Sequence, residues 1–281
     1  MRDGTWREPC ASTCRVAERR DITLITGASE GIGRELARVF ARHGHALALV
    51  ARNRERLESL AEELRTQYRV RVHVLACDLL DDAAPHELAR ALEERSFDVN
   101  VLVNNAGVMD VGRFADLEET AILAELQLNA MVPIRLCRIF LPAMLARGRG
   151  RILNVASTAA FQAMPQLSTY AATKACLLTF GEGVAEELAG TGVTLTTLAP
   201  GPVDTRLWDG ARHAAPALSR LLPTGVASDP RVIAQEGFDA CMEGTVVHVP
   251  GLASRLTATI SDVVPRGLVR RLAGIVGRQI R

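Results

Sequence analysis

The chain has 281 residues, 48% of them hydrophobic and 23% charged, enough for one sizeable α/β core and too apolar for disorder throughout. Its 33 basic and 32 acidic residues leave a net charge of +1, and 4% of residues are aromatic. That balance excludes a dedicated nucleic-acid binder, which needs a basic footprint and stacking platforms.

Residues 1–20 are polar, Arg-rich and aperiodic and read as a tail, with no apolar stretch of the signal-peptide kind. From Asp21 the chain alternates short β-branched runs with segments of helical periodicity. Strands are predicted over 22–26, 45–50, 70–76, 99–103, 151–155, 193–198 and near 245–249. Helices are predicted over 31–43, 55–64, about 84–96, about 117–146, 169–188 and near 230–243. A polar, Gly/Pro-rich stretch from Pro200 to Asp229 interrupts the alternation and carries Leu207, Trp208, Leu218, Leu221 and Leu222. Strands alternating with helices of this length imply right-handed crossovers, and near-continuous apolar strands imply a parallel sheet covered on both faces. The expected organisation is a tail over 1–20, one α/β domain over 21–250 with a substrate loop at about 202–229, and an extension over 251–281.

The six cysteines divide into a Cys10/Cys14 pair with no further ligands nearby and four in apolar periodic segments. The pair lacks the ligands of a zinc site, and the four read as small buried hydrophobes. No metal site is expected, and the six histidines show no ligand spacing. The longest uncharged stretch, 152–173, is rich in Ser, Thr, Asn, Gln and Pro and does not read as a membrane span. A reduced, cytoplasmic setting is the expectation. In the extension, Leu268, Val269, Leu272, Ile275, Val276 and Ile280 share a helical face, while Arg266, Arg270, Arg271, Arg278 and Arg281 lie mostly elsewhere. Such a helix can lie on a membrane surface, but packing on its own fold or on a partner subunit is the favoured reading.

Two local features carry chemistry. Between the first strand and first helix stands Thr26-Gly27-Ala28-Ser29-Glu30-Gly31-Ile32-Gly33. Glycines there allow a tight turn and close approach of backbone N–H groups to a pyrophosphate, aided by the helix dipole. All but one of the 33 basic residues are Arg, and the single Lys, Lys174, follows Tyr170 by one helical turn. Tyr normally titrates near 10, and a nearby ammonium lowers an acid by roughly 1–3 units. A lone lysine beside a tyrosine therefore points to proton transfer.

With its G-x3-G-x-G spacing, Asn104-Asn105-Ala106-Gly107 after the fourth strand, Asn129 in the long helix, Ser157 after the fifth strand, Y-x3-K at Tyr170 and Lys174, and Pro200-Gly201 with Thr205 after the sixth, the sequence resembles the short-chain dehydrogenase/reductase family over about residues 21–245. The resemblance implies a Rossmann-type doubly wound parallel sheet of about seven strands. It implies hydride transfer between a nicotinamide and a carbonyl carbon, with Asn129, Ser157, Tyr170 and Lys174 catalytic. Ser157 would orient the substrate oxygen, Tyr170 would move the proton, and Lys174 with a water held by Asn129 would replenish it. Gly27, Ser29, Gly31, Ile32, Gly33, Asp78, Leu79, Asn105, Ala106, Gly107, Val203 and Thr205 would line the cofactor, with Tyr170 and Lys174 reaching its ribose. Homodimers or homotetramers built from the long helix and the Tyr170 helix are also implied.

The residue ending the second strand selects the cofactor, because an acid there accepts from the ribose 2′-hydroxyl and a base accommodates a 2′-phosphate. Here Ala51-Arg52 stands at that point, which favours NADP(H) over NAD(H). The resemblance places the segment after Ser157 at the substrate wall, and its uncharged Ala159-Ala160-Phe161-Gln162-Ala163-Met164-Pro165 then predicts a small hydrophobic carbonyl or alcohol substrate. His213, in the facing loop, reads as a surface residue. A protein that kept the fold to sense a nucleotide without turnover is the alternative, and the complete Asn–Ser–Tyr–Lys set favours the enzyme.

Overall fold

The computed structural model describes residues 19–214, 227–252 and 254–256, with positions 267, 270, 271 and 274. Seven strands occur among them: β1 (Arg20–Thr26), β2 (Leu47–Ala51), β3 (Val72–Ala76), β4 (Phe97–Asn104), β5 (Gly150–Val155), β6 (Val193–Leu198) and β7 (Val247–His248). They form one sheet in the order β3-β2-β1-β4-β5-β6-β7. Every pairing is parallel. The order reverses direction between β1 and β4, so the crevice beyond their carboxyl ends is where an open α/β sheet takes its ligand.

The helices are α1 (Gly31–Arg42), α2 (Arg54–Tyr68), α3 (Ala84–Glu93), α4 (Glu119–Leu126), α5 (Val132–Arg147), α6 (Ser168–Glu187), α7 (Arg206–Ala214) and α8 (Pro230–Glu243). Side chains alternate across each strand, and both faces are apolar. On one face, Ile25, Leu47, Leu49, Val101, Val103 and Leu153 pack with α1, α2 and α8, where Phe40 meets Phe238 edge to face. On the other, Leu24, Ala48, Val50, Leu102 and Ile152 pack with α3, α5 and α6. Gly181 lets α6 press onto β6, since a Cβ there would overlap the Thr197 hydroxyl. That close approach fixes the helix that carries Tyr170 and Lys174.

The alternation read from the sequence is present, with three departures. Arg20 belongs to β1, and Arg19 donates to the Phe97 carbonyl at 3.1 Å, so the end of the expected tail is tied to the sheet. The expected loop contains α7, whose Arg206 side chain ion-pairs with Glu30 at 3.5 Å. The long helix is broken into α4 and α5 by a π turn over Gln127–Met131. Of the four cysteines taken as buried, Cys137 and Cys241 are, Cys77 is half-buried and Cys176 is exposed on α6, because the apolar run around it is wider than the stripe that faces the core. Cys10, Cys14, Leu218, Leu221, Leu222 and the apolar residues expected on the C-terminal helix face lie outside the described residues.

Candidate active site

The loop after β1 is built around backbone, not side chains. Gly27 and Gly31 have φ of +65° and +54°, in the left-handed region that side chains disfavour. Gly33 sits so close to the Gly27 carbonyl and the Asn105 amide that a Cβ would overlap both. Thr26 ties this loop to β4: its hydroxyl donates to the Val103 carbonyl at 3.2 Å and accepts from the N–H groups of Asn105 and Ala106 at 3.0 and 3.1 Å. The Asn105 side chain donates to the carbonyls of Thr26 and Gly27 at 3.0 and 3.2 Å. The Asn105 side chain thus braces the glycine loop that the sequence reading assigned to the cofactor.

The α1 N-terminus begins at this loop with no side-chain cap, so its first N–H groups have neither an intrahelical partner nor a capping side chain. A glycine cradle with an uncapped helix end fits a dinucleotide pyrophosphate. Thr205 stands across from it, its methyl 3.1 Å from where a Cβ on Gly31 would be. Ser29 in the loop and Ile32 in the first turn of α1 are half-buried. Val203 and Leu79 are buried in the two core clusters. Asp78 is exposed beyond β3, where its carboxylate accepts from the Leu80 N–H at 3.1 Å.

Arg52 is exposed at the end of β2. Next to the glycine loop lies a cleft lined by Ser29, Glu30, Arg34, Arg56 and Arg206, among others. Glu30 pairs with Arg56 at 2.8 Å and with Arg206 at 3.5 Å. The sequence reading singled out Arg52 and missed these three further guanidinium groups. Arg56 could have been found as the residue one helical turn after Arg52, whereas Arg206 is brought in only by tertiary packing.

The four residues expected to be catalytic do converge. Ser157 leaves β5, and its hydroxyl bonds to that of Tyr170 and accepts from the Ala159 N–H at 3.1 Å. The Lys174 ammonium lies 5.6 Å from the centre of the Tyr170 ring and donates to the Val155 carbonyl at 2.9 Å. Asn129 is fully buried in the π turn. Its amide clamps Val108 from both sides, accepting from the N–H at 2.9 Å and donating to the carbonyl at 2.8 Å, and it donates to the Thr173 hydroxyl at 3.3 Å. Gly107 is held beside it, where a Cβ would lie 3.0 Å from Asn129 Oδ1 and 3.7 Å from Lys174 Nζ.

The electrostatics differ from the sequence argument. The ammonium was expected to acidify Tyr170. Instead burial pushes the phenol up to about 12, against the lowering effect of the Ser157 hydrogen bond. Burial also pushes Lys174 down to about 8. The physical reason is that both groups are cut off from water and the ammonium is directed at a backbone carbonyl. A further ionisable group, Glu125 of α4, is fully buried with them, and burial raises its carboxyl to about 7. The sequence reading did not find it, since an acid on a helix is ordinarily a solvated one.

Beside Tyr170 lies an apolar cluster of Ala159, Leu167 and Ala171, with Met109, Val111 and Met164 packed against it. His213 is exposed on α7, its ring nitrogen 2.7 Å from the Asp209 carbonyl. Among the described residues no three His, Cys, Asp or Glu side chains gather as a metal site would require.

A family model described as short chain dehydrogenase matches residues 21–215. The chain is 36% identical over 203 residues to the uncharacterized oxidoreductase YvrD of Bacillus subtilis (strain 168), covering 70% of this chain and 75% of that one. It superimposes on a short-chain dehydrogenase from Sphingobium yanoikuyae, solved in complex with NADPH, with a TM-score of 0.76 and 31% identity over 86% of this chain and 93% of the other. It also superimposes on a short-chain dehydrogenase/reductase from Burkholderia phymatum, solved in complex with NAD, with a TM-score of 0.77 and 26% identity over 86% and 92%. With its sheet order and its converging serine, tyrosine and lysine, the chain belongs to the short-chain dehydrogenase family, the NAD(P)-binding oxidoreductases that act on CH–OH and C=O groups.

Proposed function

We propose that this enzyme interconverts a hydrophobic ketone or aldehyde and its alcohol using NADP(H) in preference to NAD(H), with Tyr170 as acid and base. The observation that carries the reading is the Ser157–Tyr170 hydrogen bond beyond the carboxyl end of β5, beside an apolar cluster and at the same edge of the parallel sheet as the uncapped glycine loop. The nicotinamide, when bound, supplies or accepts the hydride at the carbonyl carbon. The protein's share is position and proton transfer. Ser157 donates to the substrate oxygen and aims it at Tyr170. In reduction the Tyr170 hydroxyl gives its proton to that oxygen, and in oxidation the phenolate takes one back. Lys174 holds positive charge beside the phenol and so favours the phenolate whenever it forms. Asn129 fixes Gly107 and Val108, which sets the wall opposite Lys174.

Preference for NADP(H) rests on the exposed Arg52 and on the Arg34, Arg56 and Arg206 side chains around Glu30. Guanidinium groups match a phosphate by paired hydrogen bonds, and no acid ends β2 to accept from a 2′-hydroxyl. Self-association as a homodimer or homotetramer through α4, α5 and α6 is supported by Leu123, Met131 and Leu145, which are 56%, 49% and 41% exposed on the long helix. In sedimentation velocity at micromolar concentration the enzyme should run as a dimer or larger, and a monomer would contradict this assembly.

Replacing Arg52 with Ala should weaken NADPH binding by about 1–3 kcal/mol, the scale of a charge-assisted hydrogen bond, and leave NADH little changed. Isothermal titration with each cofactor checks this, and equal losses would remove Arg52 from phosphate recognition. Over a homologous series of methyl ketones with NADPH, kcat/KM should climb with chain length, since each buried methylene is worth about 0.8 kcal/mol. Tyr170→Phe should abolish that turnover while NADPH still binds. A flat or falling series would overturn the apolar pocket, and turnover within about tenfold of the parent would remove Tyr170 from proton transfer.

A further inference from the structure

Among the described residues, the hydride-transfer reading leaves a buried carboxyl group without a task. Glu125 stands on α4, four residues before Asn129, and its side chain is wholly shielded from water. One carboxylate oxygen accepts from the Asp110 N–H at 3.1 Å. The other, equally buried, has no hydrogen-bond partner. A carboxylate offers about four lone-pair sites, and leaving them empty inside a protein is costly unless a nearby positive charge compensates. A neutral side chain could serve the Asp110 N–H as well, so that bond alone does not account for an acid here.

The positive charge is on the neighbouring helix. α4 packs against α6, which carries Tyr170 and Lys174. The groups acting on Glu125 are Asp110 from the loop after β4, whose backbone N–H favours the ionised form while its charge opposes it, and Lys174, which favours it. Seen from the other side, Glu125 is the acid whose field favours the Lys174 ammonium, and it also disfavours the Tyr170 phenolate. Lys174 itself donates to a backbone carbonyl, a dipole that compensates an ammonium far less than a full negative charge does.

We propose that Glu125 is a positioning residue of the proton-transfer site, the internal counter-charge that keeps the Lys174 ammonium charged behind Tyr170. The inference rests on the role proposed above for Lys174. Its consequence is a pH window. With Glu125 pushed up to about 7 and Lys174 down to about 8, the doubly charged pair is centred between those values. Below the window the counter-charge is lost by protonation, and above it the ammonium is lost.

Because the chain has a single lysine, ¹³Cε-lysine labelling of the full-length protein gives one lysine resonance whose shift follows the charge on Lys174. Glu125→Gln keeps the shape and the acceptor for the Asp110 N–H and removes only the charge. The parent and Glu125→Gln are titrated without substrate. The lysine midpoint should fall in the variant by about half a pH unit or more, the direction expected on losing a nearby opposite charge. An unchanged or raised midpoint overturns the proposal. Lys174→Met gives the reciprocal test should Glu125→Gln not fold. By infrared difference spectroscopy Glu125 should then keep its proton to higher pH than in the parent, and an unchanged or lower midpoint overturns the proposal. Neither measurement needs turnover, so a failed ketone assay and a failed counter-charge are told apart.

Discussion

The two-point hydrogen bond between the Asn129 side chain and the backbone of Val108 is the contact on which the site depends. It joins the loop leaving β4 to the middle of the long helix, and it does so inside the protein, where each bond is stronger and each loss dearer than at the surface. The π turn around Asn129 adds a residue to the helical winding there, as such turns often do at functional sites. Through this clamp Gly107 comes against Lys174, and through Thr173 the clamp also reaches α6. Three elements of the fold are thereby held in one geometry beside Lys174.

Around that contact the fold places opposite requirements side by side. The loop after β1 ends in an uncapped helix N-terminus, which suits an anion, and the cleft beside it holds Arg34, Arg56 and Arg206 together with Glu30 and Glu55. The region beyond β5 presents apolar side chains and a largely buried phenol. The first is polar and charged and the second apolar, and Tyr170 belongs to the second. Burying Tyr170, Lys174 and Glu125 together costs stability, because each is pushed toward its neutral form. Strain of this kind is found where a fold serves chemistry more than its own stability.

Much of this was legible in the sequence where one local rule decides the outcome. The parallel sheet followed from apolar strands spaced by helices, and the glycine loop from its spacing after the first strand. Tyr170 and Lys174 stood out because the chain has one lysine. What the sequence did not disclose depends on contacts distant along the chain. Glu125 looks like a surface acid until α6 covers it, and the bracing of Thr26 and Gly27 by the Asn105 amide appears only in the folded chain. Arg206 joins Glu30 only because α7 folds back over the glycine loop. The expected acidification of Tyr170 failed for a related reason: the ammonium effect was weighed without the larger effect of burial.

The central claim is that this chain's serine, tyrosine and lysine serve a direct hydride transfer to a carbonyl carbon. Turnover of a methyl ketone with NADPH carrying deuterium at one C4 position tests it most directly, read by mass spectrometry and chiral analysis of the alcohol. The account predicts that deuterium from one of the two C4 positions appears wholly on the carbinol carbon and that a single enantiomer forms. Deuterium released to solvent, or label delivered equally from both C4 positions, would contradict it.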